Sequence, residues 1–203
     1  MSDSFPQEAK KRISKRLTLI VKRAFDLTVA SILLFFLSPL LFVISLLIKR
    51  DSPGPTLFSQ KRVGENGRLF TMYKFRTMHI DCNPYDCTPA NCIDPRITNI
   101  GKKLRKRGLD ELAQLLNIFK GDMSIVGPRP EMPFIVEEYN SFQKKRLMAK
   151  PGVTCLWQLS PHITEPIHKH VEYDLYYIEH QSLWLDFKII LRTIRAIKKG
   201  FWV

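Results

Sequence analysis

Cysteine is scarce in this chain, with four in 203 residues. Cys82, Cys87 and Cys92 fall five apart in DCNPYDCTPANC and Cys155 lies far away, so no C-x-x-C pair forms and no histidine cluster stands at zinc-like intervals. A structural zinc site is set aside, and the thiols read as free and reduced in a cytosolic setting. Acid is also short: 19 Asp and Glu face 32 Lys and Arg, a formal charge of +13. Zinc-finger, homeodomain and RNP patterns are all missing, so nucleic acid is a poor explanation of that charge. Internal repeats are lacking too, which argues against a solenoid.

What the sequence does contain is one long apolar run, Ala24 to Ile48, AFDLTVASILLFFLSPLLFVISLLI. No small-residue cleavage site follows it and Lys49-Arg50-Asp51 comes directly after, which disfavours a signal peptide. By length alone it could span a bilayer as a straight or kinked helix. Basic residues flank both ends, however: Lys10, Lys11, Arg12, Lys15, Arg16, Lys22 and Arg23 before, Lys49 and Arg50 after. A spanning helix concentrates its positive excess on one side. Pro39 lacks an N–H, and an arm of fourteen residues covers roughly 21 Å of a core of about 30 Å. A re-entrant helix broken at Ser38-Pro39 satisfies both observations, with the Ser38 hydroxyl free to take a carbonyl released by the proline. Membrane lipids are then a partner, since each basic residue near anionic headgroups contributes about 1 kcal/mol.

The expected organisation is a basic segment over 1–23, a re-entrant membrane helix over 24–50 and a cytoplasmic domain over 51–203, the last large enough for one core. The turn signal Asp51-Ser52-Pro53-Gly54-Pro55 marks the boundary. Thr56 to Met78 reads as a β-hairpin turning at Gly64-Glu65-Asn66-Gly67. Asp81 to Asn99 reads as a loop. Helical periodicity runs from Ile100 to Gly121, then over Met132–Leu147, His168–His180 and Asp186–Lys199. The last carries Phe187, Ile190, Leu191, Ile194 and Ile197 opposite Lys188, Arg192, Arg195 and Lys199, and Phe201-Trp202 follow. It reads as an interfacial amphipathic helix, with an ordinary surface helix as the alternative. The fold class expected is α/β and helix-rich: a monotopic membrane protein with a small β-hairpin and interfacial helices.

The densest chemistry lies in LRKRGLDELAQLLNIFKGDMSIVGPRPE, Leu104 to Glu131. Asp110 and Glu111 open an apolar-periodic helix, where the helix dipole favours carboxylates. Taken alone they read as end decoration. Arg105, Lys106 and Arg107 stand just upstream, and Asp122 and Gly127-Pro128-Arg129-Pro130 downstream, so acids and phosphate-shaped guanidinium groups are gathered in one stretch. A carboxylate of ordinary pKa near 4 is ionised at neutral pH and can attack phosphorus without a general base. Charge neutralisation by Mg²⁺ on carboxylates and by Arg or Lys on phosphate oxygens would complete such a site. Adjacent helical residues diverge by about 100°, so one acid attacks and the other serves the metal.

KRAFDL, the Ser38-Pro39 pair, LFSQKRVGENG, YKFRTM, DPRITNIGKKLR, LDELAQLLNIFKGDMSIVGPRPE, PGVTCLWQLS and EYDLYYI together resemble the bacterial sugar transferases, the monotopic polyprenyl-phosphate phosphoglycosyltransferases, from about Lys22 to the C-terminus. The resemblance implies Mg²⁺-dependent transfer of a sugar 1-phosphate from a nucleoside diphosphate sugar, usually a UDP-sugar, to undecaprenyl phosphate. It implies a covalent phosphosugar on Asp110, with Glu111 as metal-binding companion, and phosphate contacts from Arg105 and Arg129. Lys74 and Arg76 of YKFRTM, with Asp122, complete the expected substrate-binding set. The implied setting is the cytoplasmic face of the bacterial inner membrane, in a minimal-core form without additional amino-terminal membrane helices, acting at the start of exopolysaccharide or lipopolysaccharide synthesis. A homodimer is a possible partner state. Where similar sequences read PGITGLWQLSGR and SLDELPQL, this chain has Cys155, Pro161 and His162, and Gly108 and Ala113. Those departures bear on loop geometry and donor contacts, and make an inactive membrane-surface scaffold of the same fold the rival reading.

Overall fold

The computed structural model describes residues 4–83 and 94–199, with side chains of the first helix from Arg16 onward. Cys87, Cys92, Phe201 and Trp202 lie outside the described residues. The protein is helix-rich α/β, with one long apolar N-terminal helix and a small antiparallel sheet.

Helix α1, Ser4–Asp51, contains the whole apolar run, and its Arg16–Asp51 part is long and apolar enough to cross a membrane by length and composition. The break expected at Ser38-Pro39 does not interrupt the helix, which carries Pro39 inside it. The reason is local. A helical proline leaves the carbonyl four residues back without its amide donor. Here Ser38 Oγ donates to the Phe35 carbonyl at 2.8 Å and replaces that bond.

One stripe of α1 faces the rest of the protein. Ala30, with Leu34 and Leu37, packs against Phe70, Met72, Leu115, Ile118 and Met123. Leu41, Ile44 and Ile48 pack against Phe75, Leu104 and Ala113. The alternating three- and four-residue spacing of that stripe is the helical repeat that keeps one face turned inward. Away from it, Phe35, Phe36 and Phe42 are 75, 72 and 65% exposed, an outward apolar face of the kind that marks an interaction surface. Polar ties hold both ends of the stripe. Lys22 Nζ is 2.6 Å from Asp186 Oδ2, Arg23 donates to the Ile118 carbonyl at 2.6 Å, and Asp51 accepts from the Ile100 amide at 2.8 Å.

Strands β1, Leu57–Val63, and β2, Leu69–Phe75, form the expected hairpin, pairing Leu57 with Phe75 and Val63 with Leu69. The turn needs left-handed backbone, and Asn66 and Gly67 supply it at φ 55° and 79°. The helix expected from Ile100 to Gly121 is instead three pieces: α2, Asn99–Lys106; a 3-10 turn, Leu109–Gln114; and α3, Leu115–Lys120. Gly108, at φ 63°, turns the chain between the first two. Met132–Leu147 is likewise not one helix. It divides into α4, Pro133–Glu137, and a 3-10 turn, Gln143–Met148, because Asn140 Oδ1 accepts from the amides of Phe142 and Gln143 and closes a competing local turn.

Strands β3, Ser124–Val126, and β4, Gly152–Thr154, pair in parallel, an element too short to carry a sequence pattern. Their backbones touch at Gly127 and Gly152, where a Cβ would meet backbone atoms at 2.2 and 2.1 Å. Helix α5 spans Glu172–Glu179, shorter than the expected His168–His180, and α6 spans Leu183–Lys198. On α6, Asp186, Ile189 and Thr193 face inward, while Trp184, Phe187, Leu191 and Ile194 are exposed. Of the expected apolar face, Phe187, Leu191 and Ile194 are therefore outward, whereas Ile190 packs against the core beside Ile189.

Candidate active site

Gly108 ends α2 in the left-handed region and releases the chain into the 3-10 turn that carries Asp110 and Glu111. This turn packs against β2, which brings Lys74 up to the acids. Both carboxylates are buried, Asp110 at 9% and Glu111 at 6% exposure. Glu111 Oε1 accepts from Lys74 Nζ at 2.7 Å and from Arg129 Nη2 at 3.1 Å. Its other oxygen, Oε2, is buried without a hydrogen-bond partner. A buried carboxylate oxygen left bare is costly unless something cationic or protic completes it.

The two acids are tuned in opposite directions. Burial pushes Asp110 up, Lys74 opposes it, and the Glu111 charge pushes it further up. Burial also acts on Glu111, yet the charges of Lys74 and Arg129 and their hydrogen bonds outweigh it and hold that carboxyl down at about 2. The expectation of an ordinary pKa at Asp110 is corrected accordingly: its surroundings disfavour charge more than water does. Glu111 is the permanent anion, and Asp110 is the group whose charge depends on its neighbours.

The other expected residues divide. Arg105 is half-buried, with Nε donating to Thr77 Oγ1 at 2.9 Å, and its charge acts on Asp110. Arg129 reaches Glu111 directly. The Arg76 guanidinium donates to the Pro53 and Ser52 carbonyls, the latter at 2.8 Å, and clamps the turn that follows α1. Asp122 sits by the Asn117 amide, with Nδ2 at 3.4 Å, beyond the end of α3. Asn117 itself is fully buried, accepting from the Tyr73 amide and donating to the Thr71 carbonyl, so it extends the edge of β2. Cys155, one of the departures, is buried and its thiol is pushed up to about 12 by burial, which makes it an unreactive packing residue. Pro161 and His162 lie in the loop ahead of α5.

Sequence reasoning gave no role to Arg146. It is 1% exposed and donates to Asp174 at 2.7 Å, to the Tyr139 hydroxyl at 2.6 Å and to the Arg129 carbonyl at 2.8 Å. It thereby fixes the backbone from which Arg129 reaches the acid, as a positioning residue. The available signal was Asp174, an acid inside the aromatic stretch EYDLYYI that needs a buried cation.

Comparison with known proteins adds to this geometry. The sequence profile described as bacterial sugar transferase matches residues 17–200. The chain belongs to the bacterial sugar transferase family. Among its relatives, the galactosyl transferase CpsE of Streptococcus agalactiae is 44% identical over 90% of this chain and 43% of its own length. The UDP-glucose:undecaprenyl-phosphate glucose-1-phosphate transferase of Escherichia coli is 39% identical over 90% of this chain and 40% of its own. The chain thus spans about two-fifths of those two relatives. It covers 85% of the exopolysaccharide production protein ExoY of Rhizobium meliloti, with 38% identity. In this chain the acidic pair, Lys74 and Arg129 form one polar cluster.

Proposed function

We propose that this chain is a phosphoglycosyltransferase that moves a sugar 1-phosphate from a UDP-sugar to undecaprenyl phosphate by way of a covalent Asp110 intermediate. The observation that carries the reading is the divided state of Glu111: Oε1 is held by Lys74 and Arg129, while Oε2 is buried and bare. Names of relatives supply the substrate class, since one is called a UDP-glucose:undecaprenyl-phosphate glucose-1-phosphate transferase and another an exopolysaccharide production protein.

A hard cation takes oxygen ligands, so Glu111 Oε2 and an Asp110 oxygen suit Mg²⁺. When bound, the ion would neutralise diphosphate charge. The chain's own groups do the rest. Arg105 offers guanidinium donors toward phosphate oxygens, while Lys74 and Arg129 keep Glu111 ionised and oriented. Lys74 favours the charged form of Asp110, whose oxygen attacks the phosphorus attached to the sugar. The bond to the bridging oxygen breaks, UMP leaves with that electron pair, and the sugar phosphate stays on Asp110. An oxygen of undecaprenyl phosphate then attacks the same phosphorus and returns Asp110 to a carboxylate.

Membrane placement belongs to the same proposal. Residues at opposite ends of the apolar run, Lys22 and Asp51, both bond to the part of the chain after it. A helix crossing the bilayer would put those ends on opposite faces, so the ties support a monotopic helix held at one face of the bilayer, the cytoplasmic one. The outward apolar residues of α1 and α6 would then meet lipid.

Incubating the wild-type chain with a UDP-sugar, Mg²⁺ and no lipid acceptor should release UMP in stoichiometric amount and leave an acid-labile phosphosugar adduct on Asp110. Asp110→Asn should give neither and lose turnover by at least ~1,000-fold while keeping its membrane association. A variant within tenfold of wild type would remove Asp110 from the covalent role, and a wild-type chain releasing no UMP even with undecaprenyl phosphate present would favour the inactive scaffold.

A further inference from the structure

We propose that His162, Glu165 and His170 form a binding site for a transition-metal ion of the zinc type, apart from the acidic pair. The three lie in the connection between the 3-10 turn Trp157–Leu159 and α5, where Pro161 and Pro166 stiffen the chain. His162 Nδ1 is 2.8 Å from Glu165 Oε1 and His170 Nε2 is 2.9 Å from Glu165 Oε2. The two imidazoles stack with centroids 4.2 Å apart and planes 21° apart. One ligand atom from each residue lies within 4.8 Å of the others.

That donor set is selective. Two imidazole nitrogens with one carboxylate suit Zn²⁺, Ni²⁺ or Cu²⁺, whereas Mg²⁺ prefers an all-oxygen shell. The outer shell fits as well: the far nitrogen of His170, Nδ1, is 3.2 Å from Glu172 Oε1, the contact that orients a ligating histidine and fixes its tautomer. Access is open, because the Glu165 side chain is 50% exposed while that of His170 is only 14% exposed. An ion can enter without opening the fold, and a water would take the fourth position. In the metal-free protein, protons shared with the imidazoles fill the gap, and these hydrogen bonds hold Glu165 down at about 2. A metal ion competes with those hydrogen bonds, because the same nitrogen and oxygen atoms make both.

An ion there would tie residue 162 to residue 170 just ahead of α5, which carries Asp174, the partner of Arg146. The spacing of eight between the histidines lies outside the usual zinc patterns.

The test uses the untagged full chain in detergent at pH 7.5, titrated with Zn²⁺ against a chromophoric chelator, followed by the absorption spectrum of a Co²⁺-substituted sample. One equivalent should bind with Kd on the order of micromolar, unaffected by millimolar Mg²⁺. His162→Ala and His170→Ala should each weaken binding at least about tenfold, whereas His180→Ala, at the far end of α5, should change nothing. The Co²⁺ spectrum should be tetrahedral without a thiolate charge-transfer band, a readout that stands even where a variant folds poorly. Saturation failing at ~100 µM zinc, wild-type affinity in the His162→Ala/His170→Ala double variant, or a thiolate band assigning the ion to cysteine would each overturn the proposal.

Discussion

Lys74 is the residue on which both acids depend, since it bonds Glu111 Oε1 at 2.7 Å and is the main charge opposing the burial of Asp110. Lys74→Met should therefore raise the Asp110 pKa further. In the proposed mechanism ionised Asp110 is the form that attacks, so activity should be present above its pKa and lost as pH falls through it. The acid limb of kcat/KM against pH should move to higher pH in the variant, and an unmoved limb would separate Lys74 from Asp110. Arg146 gives a second prediction. Arg146→Met strips a fully buried Asp174 of its cation, which should cost about 3–5 kcal/mol in denaturant unfolding. Adding Asp174→Leu should recover a good part of that loss in stability, yet not of activity, because the Arg129 carbonyl remains unheld. The acidic pair and Arg129 were legible because one short stretch carries them with their local chemistry. Arg146 was not, because its partners lie 28, 7 and 17 residues away. Arg76 was singled out with YKFRTM, and no local pattern reveals its bonds to two backbone carbonyls, 23 and 24 residues away.

At the scale of elements, the stripe of α1 is what joins the apolar helix to the site. Ala30, fully buried, sits against Phe70, Met72 and Ile118, the first two of which lie on the strand that carries Lys74. Ala30→Leu should overpack that contact at a cost of about 1–3 kcal/mol, read as a lower unfolding midpoint in detergent. Phe36→Leu, on the outward face, should leave the midpoint nearly unchanged. Equal effects would mean that α1 does not pack through this stripe. The hairpin was readable from Gly64-Glu65-Asn66-Gly67 because its turn chemistry is local. Breaks within longer periodic stretches were harder. Leu109, Leu112 and Leu116 keep threefold and fourfold spacing, but the step from Leu104 to Leu109 across Gly108 is five residues, a slip in the period that the left-handed backbone of Gly108 accounts for. Serine in place of Gly108 would have to adopt φ 63°, so Gly108→Ser should destabilise by about 1 kcal/mol and tilt the Asp110 turn, lowering kcat more than it raises KM.

For the whole molecule the decisive question is which side of the bilayer each end of α1 occupies. The Lys22–Asp186 pair is buried, with side chains 7 and 1% exposed, and the same Asp186 accepts from Tyr177 at 2.8 Å. The start of the apolar run is thus bonded into the fold that also contains the acidic pair. Asp51 at the far end is bonded to α2 as well, so both ends of the apolar run are tied to the part of the chain that follows it. In a cysteine-free background, Arg16→Cys and Lys198→Cys should both react with an impermeant maleimide in inside-out vesicles, and neither should react in intact cells. A spanning helix predicts opposite labelling of the two positions and is incompatible with the Lys22–Asp186 bond. Disruption of that bond supplies an independent check. Lys22→Met leaves a buried carboxylate unpaired and should both destabilise the chain and weaken vesicle retention, whereas Lys22→Met with Asp186→Leu should recover stability first. Phe187→Glu and Leu191→Glu on α6, which touch neither acid, should then reduce transfer to undecaprenyl phosphate while sparing UMP release in the first half-reaction. That split would place the lipid acceptor on the face where α6 meets the membrane, and equal loss of both half-reactions would mean that α6 only supports the fold.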